Sequence, residues 1–209
     1  MMRVKICGIT RVDDAMLAAE LGATSLGMIF WPGSPRVVTL EAARAMTRAV
    51  PHGVSTIGVF VDQTLEDVRR IAASLQLSAV QLHGSESVEY ARALSLPVIK
   101  AVPVTSAFSV DQLDAWPEEI TVLLDAHDAV KRGGTGRTID WALAAAAAAR
   151  RPVFLSGGLN PGNIQEAVLC VRPSGVDLSS GVEAARGVKD PAKLRALFDA
   201  LASMGTIHG

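Results

Sequence analysis

Residues Val54–Leu82 read VSTIGVFVDQTLEDVRRIAASLQLSAVQL, and their punctuation decides the fold. Val54–Val61 is a short apolar run rich in β-branched residues, as a buried strand requires. Leu65–Leu75 then spaces its apolar residues as a helix does, and Ala79–Leu82 opens a new apolar run. The same alternation extends outward in both directions. Towards the N-terminus stand Val4–Cys7 with Val12–Leu21, and Thr24–Phe30 with Leu40–Val50. Towards the C-terminus, Ala79–Leu82 is followed by Val88–Leu94, Val98–Val102 by Val110–Trp116, and Ile120–Leu124 by Ile139–Arg150. Val153–Leu155 with Ile164–Val171 and Gly175–Leu178 with Pro191–Ala202 complete eight strand-plus-helix units.

These strands are continuously apolar rather than alternating, the pattern of a parallel sheet covered on both faces. Eight units close most simply into a (β/α)8 TIM barrel, with a doubly wound open sheet as the alternative. At 209 residues, with no linker or break in composition, a single barrel domain spanning 1–209 is expected. Apolar types make up 49% and charged types 20%, which excludes a disordered chain. Twenty basic residues against 21 acidic ones leave a net charge of -1, so neither nucleic acid nor a membrane surface is an expected partner. The alanine-rich run 142–149 is too short to span a bilayer and reads as a helix built from its best former. Two cysteines, Cys7 and Cys170, give no disulfide framework and no metal-binding pair, which fits a reducing cytoplasm. Cys170, between Val168 and Val171, is expected to pack inward.

Strand ends carry the chemistry of such a barrel. Ser156-Gly157-Gly158 follows the seventh strand, with Asn160-Pro161 as cap and first turn of the next helix. Ser179-Ser180-Gly181 follows the eighth. Glycine lets backbone N–H groups approach an anion, so the two loops together point to phosphate, although either alone reads as a tight turn. Cys7 ends the first strand and Asp125 the sixth, placing a base and an acid across one mouth. Lys5 would favour a Cys7 thiolate if oriented towards it. Read singly, Cys7 is more often a small core residue than a reactive one, and Asp125 is as consistent with a structural hydrogen bond as with chemistry. Arg36, in Trp31-Pro32-Gly33-Ser34-Pro35-Arg36, has the planar fork that suits a carboxylate, although taken alone it reads first as a solvated surface arginine. His83 is a base near neutral pH or a hydrogen-bonded rim residue, and Asp177 accepts from a ligand or braces its loop.

In order along the chain stand Lys5-Ile6-Cys7-Gly8-Ile9-Thr10, Ser34-Pro35-Arg36, Gly58-Val59-Phe60, Gln81-Leu82-His83-Gly84 and Leu124-Asp125. Gly133-Gly134-Thr135-Gly136 with Asp140-Trp141, Gly157-Gly158-Leu159-Asn160-Pro161 with Asn163, and Val176–Glu183 continue the series. This ordered set resembles the phosphoribosylanthranilate isomerase family of tryptophan biosynthesis, over nearly the whole chain. The resemblance implies an Amadori rearrangement of a small phosphosugar–anthranilate substrate, with neither metal nor organic cofactor, in a monomer or homodimer. It implies Cys7 as general base, Asp125 as general acid and Arg36 as holder of the anthranilate carboxylate. Asp177 would meet the substrate amine region, His83 would contact the substrate, and Gly157, Gly158, Ser179, Ser180 and Gly181 would bind phosphate. Residues 126–132 depart from the family pattern and are assigned to the loop after the sixth strand. A histidine-pathway isomerase would be expected to carry an acid where Cys7 stands. A phosphate-ligand sensor would have no need of Cys7 with Asp125.

Overall fold

The computed structural model describes residues 2–126 and 139–205. The glycine-rich loop at 133–136, and all but the first residue of the segment 126–132, lie outside the described residues. Eight parallel strands, hydrogen-bonded in sequence order, close into a barrel. They are β1 Arg3–Cys7, β2 Ser25–Ile29, β3 Ser55–Phe60, β4 Ala79–Leu82, β5 Val98–Val104, β6 Thr121–Ala126, β7 Val153–Leu155 and β8 Gly175–Leu178. Closure is made where β1 meets β8, with Lys5 opposite Asp177 in register. The connecting helices are α1 Val12–Glu20, α2 Leu40–Ala49, α3 Leu65–Leu75, α4 Val88–Arg92, α5 Trp141–Arg150, α6 Ile164–Val171 and α7 Pro191–Ala202.

Successive side chains on a strand point to opposite faces, so each barrel strand serves two cores. One set packs against the helices. The other fills the barrel, where Ile57, Ala79, Ile99, Ala101, Leu123 and Phe154 form a separate buried cluster. Two residues beyond Leu123 on the same strand, Asp125 faces inward too, and Cys7 shares a face with Lys5. A floor of apolar side chains therefore supports a polar layer at the C-terminal mouth.

Most helix starts follow the short polar side chains in the sequence. Thr39, Thr64, Ser87, Asp140 and Asp190 each accept a hydrogen bond from the first turn of the helix they precede. Asp140 as cap explains why α5 begins at Trp141 and not at Ile139. The fifth connection is a 3-10 helix, Val110–Ala115, rather than an α-helix. Asn160 does not cap α6: its carbonyl closes a turn with the Asn163 and Ile164 amides, and the helix keeps the limits of its apolar run, Ile164–Val171, three residues beyond the start that an Asn160-Pro161 cap would give. Cys170 is exposed, not packed. The buried stripe of α6 is Ile164, Ala167, Val168 and Val171, and that spacing turns Cys170 outward. Among the described residues, no helix is long and apolar enough to cross a membrane.

Candidate active site

A cavity of about 510 Å³ opens at the C-terminal mouth, lined by Cys7, Arg36, His83, Asp125 and Asp177 among others. A smaller pocket adjoins it, sharing Asp125, Ser156, Asp177 and Ser179, and reaches Gly157, Gly158, Ser180 and Gly181. The candidate acid, base, substrate and phosphate residues of the sequence therefore all line these two adjoining pockets. The loop after β7 turns back sharply through two left-handed glycines, with φ of +92° at Gly157 and +65° at Gly158. The loop after β8 winds into a 3-10 turn, Ser180–Val182, and then a hairpin, β9 Glu183–Ala185 with β10 Val188–Lys189.

These two loops meet with no room to spare. A Cβ on Gly181 would collide with the carbonyl oxygen of Leu159 and lie 2.9 Å from Asn160 Cβ. Gly181→Ala must push the β7 loop away from the β8 loop, and overpacking of this kind costs about 1–3 kcal/mol. We expect steady-state kinetics to show KM raised about tenfold or more, with a smaller change in kcat. Unchanged KM would mean that the contact is not part of the substrate site.

Cys7 sits beside a buried ion pair. Lys5 Nζ, fully buried, donates to Asp177 Oδ1 at 2.9 Å. Cys7 and Lys5 both crowd the space over Gly27, where a Cβ would stand 2.8 Å from Cys7 Sγ and 3.1 Å from Lys5 Nζ. Burial pushes the Cys7 thiol above its ordinary range, and the Lys5 charge pulls it back only in part. Burial also pulls the Lys5 ammonium down, but the charges of Asp177 and Cys7 outweigh it and leave it raised. Across the mouth, His83 Nε2 is 3.1 Å from Asp125 Oδ2, and Gln81 Nε2 is 2.9 Å from His83 Nδ1.

Arg36 is at the cavity wall, yet one edge of its fork is already occupied. Its Nε donates to Glu183 Oε1 and its Nη2 to Glu183 Oε2, both at 2.7 Å. Lys189 Nζ completes a buried cluster by donating to Glu183 Oε1, to the Cys7 carbonyl at 2.7 Å and to the Ser179 carbonyl at 3.0 Å. Burial favours the neutral form of the Glu183 carboxyl, but Arg36 and Lys189 together hold it below its ordinary value.

The family model of N-(5'phosphoribosyl)anthranilate (PRA) isomerase matches residues 4–200. The chain belongs to this family. The N-(5'-phosphoribosyl)anthranilate isomerase of Desulforudis audaxviator is 50% identical over 201 residues, 95% of this chain and 97% of the relative. The crystal structure of the Thermus thermophilus isomerase superposes with a TM-score of 0.89 at 45% identity, over 97% of this chain and 100% of that one. Another phosphoribosyl anthranilate isomerase, in complex with reduced 1-(o-carboxyphenylamino)-1-deoxyribulose 5-phosphate, superposes at 0.86 with 39% identity, over 97% of this chain and 100% of that one.

Four residues of this isomerase-family site were given no role in the reading of its sequence: Gln81 and Glu183, which appeared only as members of motifs, and Arg186 and Lys189. Lys189 and Glu183 pair with each other six residues apart, but a short irregular stretch gives no sign of that, and their other partners, Cys7 and Arg36, lie far along the chain. Arg186 is the turn of the β9–β10 hairpin, exposed and lining the main cavity. The Gln81-Leu82-His83 spacing was a usable sign, since two residues apart on a strand share a face.

Proposed function

We propose that this chain rearranges N-(5-phosphoribosyl)anthranilate to 1-(2-carboxyphenylamino)-1-deoxyribulose 5-phosphate, with Asp125 as general acid and Cys7 as general base. The observation that carries the reading is that both line the cavity that adjoins the glycine-rich pocket. Asp125 gives its proton to the furanose ring oxygen, the C1–O bond breaks, and the nitrogen lone pair forms a Schiff base. The adjacent iminium acidifies the C2 proton, which the Cys7 thiolate removes to leave an enolamine. Tautomerisation of the enolamine gives the ketose. The backbone around Gly157-Gly158 and Ser179-Ser180-Gly181 would hold the phosphate, fixing the sugar between acid and base. Asp177, paired with Lys5, faces the same cavity and would accept from the substrate amine.

Glu183 takes the Nε–Nη2 edge of Arg36 and leaves its Nη1 side to meet a carboxylate, where a second cation would strengthen the grip. Arg186 supplies the second cation. Replacing it in Arg186→Gln is expected to raise KM about three- to tenfold with kcat nearly unchanged, the signature of uniform binding. Equal KM in the variant would return the role to Arg36 alone. The function itself is tested by following loss of fluorescence of freshly generated N-(5-phosphoribosyl)anthranilate, with the aminoketose identified by mass. Binding of a product analogue without turnover would instead favour a ligand sensor.

A further inference from the structure

Among the described residues only two buried side-chain polar atoms lack a hydrogen-bond partner, and one of them is Gln81 Oε1. Gln81 stands on β4 between the registers of β3 and β5, opposite Val59 and Ile99, and has no solvent exposure. A leucine or methionine would fill such a position without stranding an oxygen, so the carboxamide needs a reason. Its other end gives one. Gln81 Nε2 lies 2.9 Å from His83 Nδ1, and His83 Nε2 lies 3.1 Å from Asp125 Oδ2.

With the amide nitrogen towards His83, Nδ1 is the acceptor and the imidazole proton sits on Nε2. That proton is then donated to Asp125 Oδ2. If the amide turned over, Oε1 would accept from Nδ1–H, and the bare lone pair of Nε2 would face Asp125. A protonated Asp125 would then bond to the histidine, with its proton aimed away from the cavity. An ionised Asp125 would be repelled.

We propose that Gln81 is a positioning residue that fixes His83 as its Nε2–H tautomer, so that Asp125 carries its transferable proton on Oδ1. This inference rests on Asp125 being the general acid. In the neutral acid, Oδ2 is the carbonyl oxygen and accepts from His83, while Oδ1–H is left for the substrate. Once that proton passes to the ring oxygen, the Nε2–H bond to Oδ2 is charge-assisted and stronger. It thus favours the state that forms as the ring opens over the state before it. No proton has to move within the histidine during the step. The unpaired Oε1 is the cost of holding one tautomer, since either amide orientation strands one end of Gln81.

Two variants and one spectrum test this. Gln81→Glu keeps the shape but offers only acceptors when ionised, and so draws the proton to Nδ1. Gln81→Leu removes the preference. We expect kcat to fall about tenfold in the leucine variant and further in the glutamate variant, with KM within about twofold in both. In wild-type protein, 15N NMR of the His83 ring should show a protonated Nε2 and an unprotonated Nδ1, and the glutamate variant should show Nδ1 protonated. A merely structural glutamine would leave the order of the two kcat values set by stability, and the ring signals unmoved. A wild-type Nδ1–H tautomer, or a glutamate variant with unchanged kcat, overturns the proposal. The wild-type spectrum decides even where a variant does not fold. Full turnover in Asp125→Asn would sink the reading of Asp125 itself, a result separate from the tautomer.

Discussion

Cys7→Ala is expected to lose about 10²–10⁴-fold in kcat/KM while the barrel stays folded, and Asp125→Asn the same. A positioned acid or base is commonly worth that much. Cys7 is one of the smaller residues of its layer, so removing its sulfur does little to the core. Rapid-mixing or steady-state fluorescence on the aminosugar substrate measures the loss, and circular dichroism checks the fold. Turnover within about tenfold of wild type would remove that residue from its role. The pH dependence follows from the environment of the thiol. Burial raises Cys7 above its ordinary 9.0, with Lys5 opposing and Asp177 adding to the rise. The base must be the thiolate, so the limb of kcat/KM due to Cys7 climbs as pH increases and lies on the alkaline side of neutrality. Lys5→Met, where enough protein folds to assay, should move that limb further up.

Lys5→Met carries the largest expected effect on stability. It deletes the partner of Asp177, whose side chain is 6% exposed, and leaves a carboxylate in the barrel without its ammonium. Breaking a buried pair from one side typically costs about 3–5 kcal/mol. For a chain of this size that corresponds to a melting temperature lower by roughly 6–20 °C. The charged form of Lys5 is favoured in the fold, which holds it above its ordinary 10.5. Its contribution is therefore fully present below about 10.5 and is lost only as pH rises through the higher folded value. Thermal unfolding at pH 7 thus reads the whole effect. The double variant Lys5→Met, Asp177→Leu should recover most of the stability, because two apolar side chains replace the pair. A single variant as stable as wild type would show that water reaches Asp177 and pays the cost in its place.

Regular elements were legible because burial on both faces leaves a plain imprint. The limits of α3, β4, β7, α6, β8 and α7 follow directly from the apolar runs and their caps. The 3-10 segment Val110–Ala115 was less so, since a single buried residue there, Leu113, gives no helical stripe to read. The strand ends disclosed Cys7, Asp125 and Asp177, because ionisable groups interrupt apolar runs. What one residue does to another far along the chain was hidden. Arg36 read as a free fork, and only the fold brings Glu183, 147 residues later, onto two of its donors. The β9–β10 hairpin escaped for a related reason: its strands are two and three residues long, too short for any period.

The ammonium of Lys189 reaches the carbonyl of Cys7 across 182 positions of sequence. A chain emerging from the ribosome therefore holds its first strand end long before the atom that braces it has been made. Lys5 waits almost as long for Asp177, at the same seam. Partly synthesised barrels have a half-built mouth, an unpartnered charge in their interior and two open strand edges. The mouth is complete only once the last strand docks and the β1–β8 seam is sealed. Any factor that delays this final docking would lower the yield of working enzyme without altering a single group that meets the substrate.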